Sequence, residues 1–282
     1  MANWAGFAAL FFKHHFPNVK YILTLQEGDP ISYIKHKVWF VYPLFKKIFT
    51  KADVIQTISN YLADWAREMG VQGRVEVIPN GVNYEEFAKP TFSAHGQEGN
   101  SREKSVWLIT TSRLVKKNGV GDVIEALKFL PENVKFKIVG IGPLESKLRV
   151  KAQKMGERVE FVGLVSPDQI PKQLHSADMF IRPSLSEGMG NSFVEAMAAG
   201  LPVIATNVGG IPDFLTDPDQ SPHKAPTGLF VKVKDPKDIA RKVERLIKNK
   251  QLCESLINNG KRLVREKYDW DLIAEEMQKR VF

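Results

Sequence analysis

The run Ser184-Leu-Ser-Glu187-Gly-Met-Gly-Asn-Ser-Phe-Val-Glu195-Ala-Met-Ala-Ala-Gly200, continued by Leu201-Pro-Val-Ile-Ala205, decides how the rest of this chain is read. A polar loop bearing Gly188 and Gly190 leads into a short apolar helix, then a glycine stop, then a strand. Two carboxylates stand eight positions apart, Glu187 in the loop and Glu195 expected on the first helical turn. Glycines let backbone N–H groups come close to a ligand, and a helix N-terminus favours an anion. The stretch therefore reads as a site for a ligand with phosphate and hydroxyl groups. The same letters also read as a capping box, Ser192-x-x-Glu195, which needs no ligand. On this stretch alone both readings stand.

Outward from it, apolar runs predict strands at 106–111, 134–139, 158–161, 178–182, 202–206 and 228–231. Helical periodicity and caps predict helices at 120–130, 143–155, 167–175, 192–199, 211–215 and 236–248. Each strand leads through a loop into a helix, which is the logic of a doubly wound parallel sheet with ligands at the carboxyl ends of its strands. Towards the N-terminus the alternation recurs. Helix 2–15 and strand 20–25 come first, then a helix over 32–50 and a strand at 53–57. A helix capped by Ser59 runs to Met69, and strand 75–78 closes on the turn Pro79-Asn80-Gly81.

The organisation expected is two Rossmann-like domains. Residues 1–90 form a partial first domain, 91–104 a linker or surface loop rich in Pro, Ser, Gly and charge, and 105–267 the second domain. The tail, 250–282, is expected to be helical, amphipathic and broken around Tyr268-Asp-Trp270. The first half supplies only about three strands, where such a domain usually has five or more. An N-terminal portion is expected to be absent.

Composition narrows the chemistry. The 282 residues are 43% hydrophobic, ample for one large or two modest cores. A net charge of +8 and a pI near 9.4 point to an anionic partner: nucleic acid, anionic lipid or a phosphate-bearing small molecule. One cysteine, Cys253, excludes an intramolecular disulfide framework and fits a reducing, cytoplasmic compartment. No apolar run reaches transmembrane length, and residues 1–12 lack the basic start and cleavage site of a signal peptide. The helix over 32–51 carries Lys35, Lys37, Lys46, Lys47 and Lys51 among Trp39, Phe40, Tyr42, Phe45 and Phe49. It reads either as a peripheral dock on an anionic membrane at its inner face or as an ordinary helix with core aromatics and solvated lysines.

Several strand ends carry further chemistry. Arg113-Leu-Val-Lys116-Lys117-Asn118-Gly119 follows strand 106–111, and an Arg fork with a Lys point charge suits a diphosphate. Gly140 and Gly142 follow strand 134–139, but Glu145 stands where a dinucleotide fingerprint needs its third glycine. Phe161-Val-Gly163-Leu-Val165 and Asn207-Val-Gly209-Gly210 are two more glycine-bearing strand ends. Their convergence on one sheet edge, with the Glu187–Glu195 segment, weighs more than any single loop. A metal site is not expected: the six histidines lack ligand spacing, and Asp217-Pro-Asp219 reads as turn chemistry. Two carboxylates could describe a glycosidase, but that reading leaves Arg113 and Lys117 without a purpose.

These motifs resemble the retaining glycosyltransferases of family 4, also called group 1 glycosyltransferases, which have the GT-B fold. The resemblance rests on Ser112-Arg113-Leu-Val, Ile138-Val-Gly-Ile-Gly-Pro143, Phe161-Val-Gly-Leu-Val165, Arg182-Pro-Ser184, and above all Glu187-x7-Glu195 followed by Gly-Gly-Ile-Pro212. Ile78-Pro-Asn-Gly-Val82 matches the family's segment near the domain junction.

The resemblance implies transfer of a hexose from a UDP- or GDP-sugar to a polysaccharide or lipid-linked glycan, with retention by same-face attack and no cofactor or metal. It implies that Glu195 holds the ribose hydroxyls and Glu187 the donor-sugar hydroxyls. Arg113 and Lys117 would meet the diphosphate charge. Gly188, Met189, Gly190 and Asn191 would offer backbone N–H groups, Gly140 and Gly142 close approach, and the Val165 region the base contact. The resemblance also implies that the C-terminal helix, 268–282, crosses back to join the first domain. No nucleic-acid partner is expected. Two departures matter. The family pattern Arg-Leu-Val-x-x-Lys-Gly has Asn118 in the lysine position here, so either Lys117 or Asn118 stands at the phosphate. Many members have His where this chain has Gln26, which cannot take a proton. The competing readings are a nucleotide-sugar-binding fragment without turnover and another GT-B enzyme such as a nucleotide-sugar epimerase.

Overall fold

The computed structural model describes residues 4–89 and 105–282. The expected linker at 91–104 lies outside the described residues. Two parallel sheets carry the architecture. The first has three strands, β1 (Ile22–Leu25), β2 (Val54–Thr57) and β3 (Arg74–Val77), in the order β1-β2-β3. The second has six, β4 (Val106–Thr111), β5 (Val134–Val139), β6 (Val159–Gly163), β7 (Met179–Arg182), β8 (Val203–Thr206) and β9 (Gly228–Val231). Their order is β6-β5-β4-β7-β8-β9, so the direction of winding reverses between β4 and β7. Ile109 pairs with Phe180 across that junction, and both are fully buried. Strands β2, β7, β8 and β9 are buried on both faces and need apolar side chains almost throughout, which is why these runs were visible as strands. The crevice beyond such a reversal is where this architecture binds ligands.

Around the first sheet lie α1 (Trp4–His15), α2 (Ile31–Lys37), α3 (Tyr42–Thr50), α4 (Asn60–Glu68) and the short α5 (Tyr84–Ala88). Phe45 and Phe49 of α3 meet Trp65 of α4 edge-on or tilted, with Phe49 and Trp65 centroids 5.1 Å apart, and this cluster covers the sheet. The helix expected over 32–50 is in fact two, separated by a 3-10 turn at Trp39–Val41. Pro43 explains the break. It has no N–H to give the turn before it, and its ring would meet the carbonyl four residues back, so α3 restarts beside it. Ser59 caps α4 as expected, its Oγ accepting from the Leu62 N–H at 3.4 Å.

The second sheet is covered by α6 (Val120–Ala126), α7 (Glu145–Ala152), α8 (Ile170–His175), α9 (Asn191–Ala198), α10 (Pro236–Lys248) and α11 (Lys250–Lys267). The helix expected at 211–215 is a single 3-10 turn, Ile211–Asp213, and α7 begins after Pro143 rather than at it. Asp217 is another correction. It is buried, not a surface turn residue: its Oδ2 accepts from the Phe230 N–H at 2.6 Å and lies 3.6 Å from Lys242 Nζ. Asp219 pairs with Lys242 and Arg245 beside it, so this D-x-D is a charged clamp between β9 and α10.

The last helix, α12 (Trp270–Arg280), packs on the first sheet. Val82 bridges Asp269, Ile273 and Val281 pack with Val54 and Ile78, and Arg280 pairs with Glu76 at 2.8 Å. A Cβ on Gly81 would lie 2.8 Å from the Trp270 ring, so only glycine lets this crossing come so close. Sequentially distant ends of the chain thus share one small core, which fixes how the two sheets face each other.

Candidate active site

At the carboxyl edge of the second sheet a cleft of about 520 Å³ opens at the winding reversal. Three strand-end loops and α9 line it. The β4 loop contributes Thr111, Ser112 and Arg113, the β5 loop Gly140 and Gly142, the β6 loop Leu164 and Val165, and α9 Ser192 and Glu195. Five residues singled out from sequence, Arg113, Gly140, Gly142, Val165 and Glu195, are therefore brought together.

The two glycines are required by a contact within the protein. Gly140 has φ 127°, and a Cβ on it would fall 2.1 Å from the Ser112 carbonyl oxygen; one on Gly142 would fall 2.5 Å from that of Leu114. Their bareness lets the β4 and β5 loops lie directly on each other. Backbone bonds then join them: Leu114 N–H donates to Ile141 at 2.9 Å and Leu144 N–H to Leu114 at 3.0 Å. Arg113 is held at the mouth of the cleft by this arrangement. Its guanidinium is exposed and forms no hydrogen bond or ion pair with the described residues.

Asn118 and Lys117 separate in role. Asn118 is buried, and its amide Nδ2 donates to the Arg113 carbonyl at 2.6 Å, closing the loop rather than facing a ligand. Lys117 points to the first domain, with Nζ 3.1 Å from Asp29 Oδ1. Gly119, at φ 67°, allows the loop to touch the Pro183 carbonyl, and Leu185 N–H donates to Lys117 at 2.6 Å. The basic loop is thereby fastened to the Glu187 segment.

That segment is built around a buried arginine. Arg182, the last residue of β7, donates through Nη2 to Glu187 Oε2 at 3.0 Å and through Nη1 to Ser192 Oγ at 2.6 Å. The capping box is not formed. Gly190, not Ser192, precedes the first turn of α9, and the Ser192 hydroxyl accepts from Arg182. With α9 starting at Asn191, Glu195 lies on its second turn, one turn deeper than expected. Its carboxylate forms no hydrogen bond or ion pair with the described residues. Burial raises its pKa, an effect partly offset by the positive charge of Arg182.

Glu187 stands between the domains. Gly209 and Gly210 fold around its carbonyl, and Ser186 Oγ donates to the Gly28 carbonyl at 3.1 Å. A Cβ on Gly28 would lie 2.9 Å from Lys117 Nζ and 3.4 Å from Glu187 Oε1, so both groups converge on the loop after β1. Gly188 packs on the Glu27 carbonyl, whereas the Met189 side chain is buried in the core. Asn191 Oδ1 accepts from Asn80 Nδ2 at 3.2 Å, and Gln26 reaches Asn80 in turn. Sequence reasoning missed Arg182, Ser192, Leu164 and Asn80 as neighbours of the site. For Arg182 a signal existed: a charge at the end of an otherwise apolar buried strand must have a partner.

Among the described residues no group of three or more His, Cys, Asp or Glu could hold a metal ion. The arrangement offers the Arg113 cation at the cleft mouth, a carboxylate without a hydrogen-bond partner inside it and a second carboxylate facing the other domain.

Comparison with known proteins places the chain. The family model "Glycosyl transferases group 1" matches residues 92–263 and "Glycosyltransferase Family 4" matches residues 1–86. An uncharacterised glycosyltransferase of Methanocaldococcus jannaschii is 32% identical over 216 residues, covering 73% of this chain and 53% of that protein. A GDP-mannose-dependent alpha-(1-6)-phosphatidylinositol monomannoside mannosyltransferase of Mycobacterium tuberculosis is 28% identical, covering 86% of this chain and 66% of that one. The chain spans about half to two thirds of the length of these curated relatives. In fold it matches the Anabaena protein HepE, crystallised with UDP and glucose, at a TM-score of 0.81 and 18% identity, covering 98% of this chain and 74% of that one. The chain belongs to the group 1 glycosyltransferases and has their GT-B fold.

Proposed function

We propose that this chain carries the donor-binding half and part of the acceptor half of a retaining glycosyltransferase. It would move a hexose from a UDP- or GDP-sugar to a polysaccharide or lipid-linked glycan. The observation that carries this reading is Glu195, a carboxylate without a protein partner, pointed into a cleft at the winding reversal. Glu195 is half-buried, so its carboxylate is partly withdrawn from water yet open to the cleft, and ribose hydroxyls are the chemistry that fits it. The exposed Arg113 and the nearby Lys117 suit the diphosphate, whose growing charge during bond cleavage they would stabilise without a metal. Glu187, held towards the other domain, suits the donor sugar. Attack by the acceptor oxygen from the face the diphosphate leaves would retain the anomeric configuration.

The relatives support a choice between two bases. One is GDP-mannose-dependent by name, and HepE was crystallised with UDP. The test is turnover of labelled UDP- and GDP-sugars on a panel of glycan and lipid-linked acceptors, with and without EDTA. Transfer to an acceptor, insensitive to EDTA and with the anomeric configuration kept, is expected. Binding without transfer on every acceptor would favour the non-catalytic reading.

The acceptor side has its own feature, for which we propose an anionic lipid surface. Residues 1–52 hold seven lysines against two acids, Glu27 and Asp29. On the turn between α2 and α3, Trp39 and Phe40 are 71% and 64% exposed beside Lys35 and Lys37. Between α1 and α3 an apolar groove of about 600 Å³ is rimmed by Lys13, Lys47 and Lys51. Exposed aromatics among lysines match the interface of an anionic bilayer, where rings enter the headgroup layer and ammonium groups meet phosphate. No described helix is long and apolar enough to cross a membrane. Co-sedimentation with phosphatidylglycerol vesicles but not phosphatidylcholine vesicles is expected, lost when the five helix lysines are neutralised or Trp39 becomes Ala. Pelleting unchanged in these variants would overturn this reading and leave the segment a structural one.

A further inference from the structure

We infer that Arg182 is the positioning residue for donor-sugar recognition, binding Glu187 and the first turn of α9 into one rigid unit. This rests on the reading of Glu187 as the sugar contact.

Arg182 is 6% exposed, and its guanidinium is tied on several sides. Nη2 donates to Glu187 Oε2 at 3.0 Å, while Nη1 donates to Ser192 Oγ at 2.6 Å and more weakly to the Thr111 carbonyl at 3.4 Å. Its plane lies over the Phe193 ring, 4.2 Å from the centroid. The strand β4, the loop after β7 and the helix α9 therefore meet in one planar fork. A lysine ammonium has no such fork and could not hold Glu187 and Ser192 in their present places together. The surrounding backbone is cut to fit, because a Cβ on Gly190 would fall 2.6 Å from Nη2.

The consequence falls on one oxygen. Oε2 of Glu187 is spent on Arg182 and receives a long 3.5 Å contact from Ser184 Oγ. Oε1 is left on the side of Gly28 and Lys117, where the domains meet. Arg182 thus fixes which carboxylate oxygen is presented and where. It reaches the cleft that receives the nucleotide only through Ser192, the Thr111 carbonyl and the charge it places near Glu195, a charge that a lysine in its place would keep. Its loss should accordingly be felt by the sugar and much less by the nucleotide.

Calorimetry on this chain separates the two. UDP and GDP are titrated alongside UDP-glucose and GDP-mannose, and the affinity gained from the sugar is read as the ratio of dissociation constants. With Arg182→Lys, nucleoside diphosphate affinity is expected to hold within about threefold while the sugar-dependent gain falls about tenfold, the scale of one charge-assisted hydrogen bond. Ser192→Ala, which removes one anchor without stranding a charge, is expected to lose part of the same gain and covers the case in which Arg182→Lys does not fold. Glu187→Gln should lose the gain too, and the Arg182→Lys/Glu187→Gln pair should be no worse than either single change. Effects of Arg182→Lys on nucleotide and sugar alike, or additive effects in the pair, would overturn the inference and leave a packing residue. If Glu187→Gln keeps the sugar gain, the sugar-contact reading itself fails. If Glu187→Gln loses it and Arg182→Lys and Ser192→Ala keep it, only the positioning role fails.

Discussion

Lys117 Nζ lies 3.1 Å from Asp29 Oδ1, an ion pair that joins the loop after β4 to the loop after β1 across the gap between the sheets. Both side chains remain partly in water, so the pair adds little stability, under about 1 kcal/mol. Its interest is competition. A diphosphate at the cleft mouth and Asp29 would both want the same ammonium. Asp29→Asn is therefore expected to tighten UDP or GDP binding by about two- to threefold, and Lys117→Met to weaken it by about tenfold. Titrations at low and high salt check this, because the Asp29 effect should shrink as salt screens the pair.

Glu195 is expected to trade stability for binding. Its raised pKa means that the folded chain holds the proton more tightly than the unfolded chain does. Its contribution is then most favourable below the ordinary carboxylate value and is lost as pH rises through the higher folded value. At neutral pH the charged, partnerless carboxylate is a cost. Glu195→Gln should raise the melting temperature of the unliganded chain, worth up to about 1 kcal/mol, while weakening nucleotide binding. A thermal melt at pH 7.5 against one near pH 4 tests the sign, since the gain should vanish at the lower pH.

The clamp at Asp217 and Asp219 has the opposite pH behaviour. Hydrogen bonds from Arg245 and Lys242 lower the Asp219 pKa to about 2. Its contribution is present above the ordinary value of 3.8 and fades as pH falls towards 2. Asp219→Asn should flatten the acid limb of stability in that window. Asp217→Ala is the severe change, expected to cost about 3 kcal/mol, because it strands the Phe230 N–H and unpairs a buried Lys242 from one partner. Chemical denaturation measures both.

Gly209 controls where Glu187 sits. At φ 56°, a Cβ on it would fall 1.7 Å from the Glu187 carbonyl oxygen. Gly209→Ala must push the Glu187 loop aside. It should lose donor-sugar affinity by tenfold or more, about 1.4 kcal/mol, with nucleoside diphosphate affinity less affected. Comparing titrations with and without the sugar moiety reads this directly.

The parts of the fold that were legible from sequence were those where one rule acts alone. Strands β7, β8 and β9 stood out because burial on both faces demands apolar runs, whereas β5 alternates buried apolar residues with half-exposed lysines. Where two rules competed, the sequence was ambiguous. The run 32–50 has helical periodicity, yet Pro43 breaks it into α2 and α3. Ser192-x-x-Glu195 satisfies the letters of a capping box, but Arg182, ten residues earlier and invisible to a local motif, takes the hydroxyl. Asp217-Pro-Asp219 looks like a turn until β9 and α10 fold over it. Gly140 and Gly142 line the cleft, and the loop-on-loop contact that forbids a Cβ at either position could not be read from the local letters. Long-range partners decided each case.

The most direct test of the central claim is a calorimetric titration of UDP and GDP into the wild-type chain and into Glu195→Ala. One of the two nucleotides should bind the wild type with a one-to-one stoichiometry, and Glu195→Ala should weaken it by about tenfold or more while the fold is kept, as expected for a lost charged acceptor on a ribose hydroxyl. Equal affinity for the bound nucleotide in both proteins, or binding of neither nucleotide by the folded wild type, would contradict the assignment of this cleft as the nucleotide-sugar site.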